Sequence, residues 1–273
     1  MKLIGRSELP QWIASARYRA AAYDPSGGHL HPLKYTLGLA RAAASLGAAI
    51  FEDSRALELS AGPMLAVRTS RGQVHCRYVL LAGNVYLGPL APSLSSRIMP
   101  VGTFIAASAP LLPEQAARLI PSRSAVCDTQ WVLDYFRLSR DDRMVFGGRV
   151  SYSTLVPPRL GQGMRRRMVN VFPQLATVPI EYAWGGYVDI TMNRAPDFGR
   201  IGSNVYYLQG FSGHGLALSA MAGRLVAEAI GGDASRFDVF AALRHRRFPG
   251  GRPLRTPLLV LAMTWLRLRD LLA

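Results

Sequence analysis

Apolar positions recur along the chain with two different periods, and the clearest switch between them falls at residues 205–223. Residues 205–209 are β-branched, aromatic or apolar nearly throughout, which reads as a short buried strand. Gly210, Gly213 and Gly215 then break any regular pattern. From Leu216 the chain is rich in Ala and Leu, and Met221, Leu225 and Val226 continue a helical stripe. The pattern predicts strand, glycine-rich turn, helix. Such a turn lets bare backbone approach a ligand and aims helix N-terminal N–H groups at it, which suits an electron-rich or anionic group. Close packing of strand against helix accounts for the same glycines, so the pattern alone leaves both open.

Elsewhere the periodicities alternate. Residues 1–23 are weakly patterned, with Pro10, Trp12, Ile13 and Tyr18 suggesting partial burial. Gly27 and Gly28 permit a sharp turn, and Pro32 opens a helix whose stripe includes Leu33, Leu37, Ala40, Ala44 and Leu46 and which ends at Gly47. Residues 48–52 and 56–59 are strand candidates, and 64–69 with 73–81 read as a hairpin about Ser70, Arg71 and Gly72. Residues 78–84 read as a buried strand running into the small-residue turn Ala82, Gly83, Asn84, at the strand end where ligands sit in open α/β sheets. A plain strand end reads the same way.

From Arg97 the texture changes. Residues 98–107, 125–128, 131–138 and 144–150 are strand-like, with turns expected at 139–142 and at Gly147–Gly148. A helix over 158–172 and a strand over 180–184 follow. Runs of strands with one helix predict a second lobe on a mostly antiparallel sheet. The expected organisation is α/β (α+β): a Rossmann-like domain over 1–97, the inserted lobe over 98–183, a return segment over 184–232 and C-terminal helices over 233–273.

The net charge of +15 comes almost wholly from arginine, since Lys2 and Lys34 are the lysines. The arginines are scattered and show no basic stripe interleaved with aromatics, so no nucleic-acid partner is expected, although the charge suits steering of acidic substrates. Cys76 and Cys127 belong to no metal-ligand pattern, so no metal site is expected. Residues 1–5 are too short for a signal segment and 258–263 too short to span a bilayer. A soluble, cytoplasmic protein is expected.

Several separated stretches then fall into one register: Gly27-Gly28-His29-Leu30-His31-Pro32, Ala82-Gly83-Asn84, Trp184-Gly185-Gly186, Gly210-Phe211-Ser212-Gly213-His214-Gly215, Ala222-Gly223-Arg224-Leu225 and the closing segment from Trp265 to Asp270. Together they resemble the FAD-dependent amine and D-amino-acid oxidase (DAO) superfamily, and most of all its γ-glutamylputrescine oxidoreductase branch. The resemblance implies an FAD-dependent oxidoreductase that oxidises a C–N bond of an amine or amino acid by hydride transfer to flavin. It implies that Gly210, Ser212, Gly213, His214 and Gly215 line the flavin ring. Gly28 and His29 would sit near the flavin or the active-site mouth. Ala82, Gly83 and Asn84 would approach from the sheet end, and Trp184, Gly185 and Gly186 would close over the ring. His214 and Arg149 are the catalytic candidates, Arg149 as a bidentate partner of a substrate carboxylate. His214 also fits a helix-capping role, and Arg149 a structural one. Asp189 and Tyr187 are further candidates.

One departure stands out. The family's Gly-x-Gly-x-x-Gly fingerprint, which seats a pyrophosphate on a helix N-terminus, is missing. The nearest approach, Gly161-Gln-Gly163, lacks the third glycine and precedes a helix in the other lobe. Only 26 residues precede Gly27, fewer than the roughly 30 of a βαβ unit. The expectation is a truncated family member, whose FAD binding depends on a separate chain supplying the missing N-terminal segment. A flavin-free amine or amino-acid binding module, or an inactive fragment, is the alternative.

Overall fold

The computed structural model describes residues 1–60, 64–130, 133–151, 156–250, 254, 256–261 and 264–265, without the side chains of 149–151. In chain order its elements are β1 (Lys2–Ile4), β2 (Ala21–Tyr23), α1 (Pro32–Ser45), β3 (Glu58–Ser60), β4 (Leu65–Arg68), β5 (Gln73–Cys76), β6 (Val79–Leu81), α2 (Pro92–Ser95), β7 (Met99–Ser108), α3 (Pro113–Leu119), β8 (Val126–Cys127), β9 (Tyr135–Leu138), β10 (Met144–Ser151), α4 (Leu160–Val171), β11 (Ile180–Ile190), β12 (Asp197–Ile201), β13 (Val205–Gln209), α5 (Gly215–Ile230) and α6 (Ser235–Ala241). They form two compact units, Met1–His31 with Gly102–Gly186, and Pro32–Val101 with Tyr187–Ala273.

The first unit is built on a five-stranded sheet in the order β11-β7-β10-β9-β8, with antiparallel pairing of β7 with β10, β10 with β9, and β9 with β8. Helix α4 buries Met164, Met168 and Val171, spaced to lie on one face. Phe136 stacks on Phe146 at 5.6 Å between ring centres and takes the edge of Phe172 at 5.1 Å. Burying each such side chain is worth about 1.5–3 kcal/mol, so this cluster is the main source of the unit's cohesion. The weak patterning of residues 1–23 conceals long-range packing. Strands β1 and β2 pair antiparallel, and Ile4, Leu9 and Ile13 are buried in the same core. Gly147 and Gly148 form no turn. They lie inside β10, where a bulge falls between Gly147 and Arg149. A Cβ on Gly147 would stand 2.1 Å from the Tyr135 ring, and one on Gly148 2.2 Å from the Asp134 carboxylate. These glycines are there for close packing.

In the second unit, β12 pairs antiparallel with β13, and β13 pairs parallel with β6. A separate antiparallel sheet joins β3, β4 and β5. The expected strand over 73–81 is therefore two strands in two sheets, divided at Arg77 and Tyr78. Residues 48–52 form no strand; Ala48, Ala49 and Ile50 are exposed and unpaired in any sheet. The helix from Pro32 is present as α1, but it buries none of its residues. Leu33, Leu37 and Leu39 on it, and Leu46, Ile50 and Phe51 beyond it, are exposed. Strand β13 is buried at all five positions, and α5 packs Ala222, Leu225 and Val226 into the core with Phe198, Tyr206 and Leu208. The expected helix over 158–172 runs from Leu160 to Val171, and the strand from Ile180 continues to Ile190. Trp131 and most of the closing segment, 266–270, lie outside the described residues.

Candidate functional site

Parallel pairing of β6 with β13 brings the carboxyl ends of both strands to the same side of the sheet. Leu81 there leads into Ala82, Gly83 and Asn84, and Gln209 leads into the turn before α5. That turn holds three residues in left-handed backbone: Gly210 (φ 76°), Ser212 (φ 51°) and Gly213 (φ 91°). At Gly210 no side chain fits, because a Cβ would stand 2.5 Å from Thr191 Cγ2 and 2.9 Å from the Asp197 backbone nitrogen. At Gly213 the space is open. The turn delivers the chain to α5, whose N-cap is His214. The His214 ring makes no capping bond and the residue is exposed, so the capping role does not hold.

Asp189, near the end of β11, ties these segments together. Its residue is 2% exposed. Its carboxylate accepts the N–H of Gly210 and, at 3.2 Å, that of Phe211. The neighbouring Asn84 side chain favours its charged form. Its backbone oxygen accepts Ser212 N–H at 2.8 Å. The Ser212 hydroxyl in turn accepts the Thr191 N–H at 3.3 Å and lies 3.2 Å from the Thr191 hydroxyl. Burial raises the Asp189 carboxyl above the usual carboxylate range, against the pull of the hydrogen bonds.

Beneath the turn lies a second carboxylate. Asp197 is 1% exposed; its Oδ1 accepts Arg97 Nη1 at 3.1 Å and its Oδ2 accepts Gln209 Nε2 at 2.8 Å. Gln209 gives its other amide hydrogen to Leu94 O at 3.1 Å. Its Oε1, like Oδ1 of Asn84, is buried with no partner among the described residues. Asn84, Leu87, Ser95, Ile98 and Gln209 line a cavity of about 60 Å³.

Tyr187 lies in the second unit, its ring edge-on to Tyr86 at 6.3 Å between centres, and the remaining sequence candidates lie in the first. Gly28 is exposed in open space. His29 is held by its neighbours: Nδ1 accepts Arg137 Nη1 at 3.1 Å, so Nε2 carries the proton and donates to Arg123 O at 3.1 Å. Arg137 also donates to Leu30 O. Trp184 is 47% exposed. Gly185 presses on Phe104, whose ring a Cβ would meet at 2.5 Å, while Gly186 faces open space. The backbone of Arg149 pairs with Phe104, and its side chain lies outside the described residues.

The structure thus ties Gly210, Phe211 and Ser212 to one residue, Asp189, beside the strand end that carries Gly83 and Asn84. Sequence reasoning placed Asp189 behind His214 and Arg149, and gave Asp197 no role beyond its turn. The available signal was a carboxylate between two β-branched apolar residues, Val188 and Ile190, at the end of a strand, where a buried charge needs donors.

The profile of the family described as FAD dependent oxidoreductase (DAO) matches residues 1–229. The chain belongs to this family. Its DAO relatives include γ-glutamylputrescine oxidoreductase of Escherichia coli K12, 41% identical over 99% of this chain and 64% of the relative. The probable oxidoreductase OrdL of Haemophilus influenzae is 40% identical over 93% of this chain and 59% of the relative. The chain therefore spans about three-fifths of the length of these relatives. Among solved structures, glycine oxidase from Geobacillus kaustophilus superposes with a TM-score of 0.76 at 19% identity, over 90% of this chain and 67% of the other. L-proline dehydrogenase from P. horikoshii does so at 0.72 and 20%, over 87% and 69%. The mixed α/β architecture with antiparallel sheets is that of the DAO flavoenzymes. Among the described residues no helix is long and apolar enough to cross a membrane, and no group of three or more His, Cys, Asp or Glu side chains is placed to hold a metal ion.

The FAD of this family fits part of what the chain offers. The open, left-handed Gly213 and the uncapped start of α5 leave backbone N–H groups free to receive an electron-rich ring edge. No Gly-x-Gly-x-x-Gly cradle for a diphosphate occurs in the sequence.

Proposed function

We propose that this chain forms the ring-binding and substrate-facing part of an FAD-dependent oxidoreductase acting on the C–N bond of an amine or amino acid. The observation that carries the proposal is the Gly210–Gly215 turn, set beside Asn84 at the shared carboxyl end of β6 and β13 in a chain of this family. FAD, when bound, supplies the acceptor for the hydride that leaves the carbon next to the substrate nitrogen. The chain's own residues do the rest. The backbone of Gly213 and Gly215 and the start of α5 present N–H donors and the positive end of a helix dipole, which favour negative charge at that position. Asn84, Ala82 and Gly83 bound the same side. His214, exposed and free of a capping bond, offers an imidazole to the cofactor or the substrate. Identity to γ-glutamylputrescine oxidoreductase makes a γ-glutamylated diamine the first substrate to try.

A second observation bears on whether the chain acts alone. Helix α1 buries nothing, and β6 is the last strand of its sheet, with one neighbour. An uncovered apolar helix and an open strand edge are each a surface for another polypeptide segment. A diphosphate-binding segment is the partner we assign to them.

The visible absorption spectrum of the purified chain, with and without added FAD, tests the reading. Flavin bands at about one per chain, bleached by γ-glutamylputrescine or another amine, are expected when the segment is present. A chain that stays colourless even with that segment supplied in trans has no oxidoreductase activity of its own, and the flavin-free binding reading takes its place.

A further inference from the structure

Three backbone N–H groups converge on Asp189, and all come from the turn that the proposed function assigns to the cofactor: those of Gly210 and Phe211 on its carboxylate and that of Ser212 on its carbonyl. We propose that Asp189 is the positioning residue of the cofactor loop, its carboxylate setting the place of the Gly210–Gly215 turn. This inference rests on the flavin-binding role proposed above.

The argument begins with the backbone. Left-handed φ values at Gly210, Ser212 and Gly213 turn successive N–H groups away from any strand or helix ladder. At Ser212 the conformation is unfavourable for an L-residue and persists only where its surroundings hold it. The Asp189 residue meets that need twice, with its carboxylate on Gly210 and Phe211 and its carbonyl on Ser212. Bonds to an ionised acceptor are stronger and more directional than neutral ones. Among the described residues Asp189 forms no ion pair, so its charge is met by these oriented N–H groups. A carboxylate held this way fixes the donors that hold it.

The experiment uses the full chain as Asp189→Asn and Asp189→Ala. Amide hydrogen exchange is followed at residues 205–215, and FAD affinity by quenching of flavin fluorescence with a diphosphate-binding segment supplied in trans. Asp189→Ala is expected to speed exchange at Gly210 and Phe211 about tenfold while Tyr206, Tyr207 and Leu208 keep their protection. Asp189→Asn, which keeps an acceptor oxygen but loses the charge, falls between. FAD affinity follows the same order. Unchanged exchange at Gly210 and Phe211 in the folded variants overturns the proposal. So does loosening spread evenly through β13, which marks a general core residue. Where Asp189→Ala does not fold, Asp189→Asn decides by the same two criteria. Altered exchange with no flavin uptake in any form, the parent chain included, leaves the anchoring of the loop standing and removes the flavin-binding role.

Discussion

Gly210 and Gly213 both hold left-handed backbone, in opposite surroundings. A methyl group at Gly210 meets Thr191 and the backbone nitrogen of Asp197, which cannot move without shifting β12; at Gly213 it meets nothing. Gly210→Ala is therefore expected to cost about 3 kcal/mol or more, and Gly213→Ala about 1 kcal/mol, from backbone strain alone. Urea denaturation of the two variants checks this; equal losses would mean that the packing at Gly210 is not the determinant. A glycine in a sequence announces that a side chain is excluded without saying by what. That is why Gly147 and Gly148 read as a turn and proved to press on Tyr135 and Asp134. Asp189 was illegible as an anchor for another reason. Its donors at Gly210 and Phe211 lie 21 and 22 residues further on, and only the folded turn brings their N–H groups to it.

At the scale of elements, the segment from β13 through α5 was readable because its period changes once, at the glycines, and both halves are amphipathic or buried over their whole length. The pairing of β1 with β2 was not, since Ile4, Leu9 and Ile13 are single apolar residues whose common core lies far along the chain. Helix α1 is the instructive intermediate. Its helical stripe predicts the helix correctly, yet the stripe finds no core in this chain. Replacing Leu33 and Leu37 with Gln, a residue of similar helix propensity, is expected to change unfolding free energy by less than about 0.5 kcal/mol. It should also reduce concentration-dependent light scattering. A loss of several kcal/mol would show that these leucines pack against the folded chain. The same pair of changes should weaken association with the added segment, so scattering and complementation are to be measured on one preparation.

Across the whole molecule, buried carboxylates tie stability to pH. The folded Asp189 holds its proton to higher pH than the unfolded chain does, because burial disfavours the charged form. Its contribution to stability is therefore fully present below the ordinary carboxylate value of about 4 and is lost as pH rises through its raised value. Asp134 is raised by burial in the same direction, with Arg167 pulling against it. Asp24, Asp141 and Asp233 are lowered by hydrogen bonds from Ser26, Ser139 and Ser235 and contribute with the opposite sign. In urea titrations from pH 3.5 to 7, the wild-type chain should lose stability relative to Asp189→Asn as pH rises above about 4. A difference that is flat, or that grows the other way, sinks this assignment. The uncovered face of α1 has a consequence on a longer timescale. Where nothing covers it, changes from leucine to polar residues at positions 33, 37 and 39 cost the fold nothing and improve solubility, so drift and selection run together. In a lineage where that face is covered, the same changes are purged. Leucines kept on this one helix across related genomes would therefore record how long that cover has been in place.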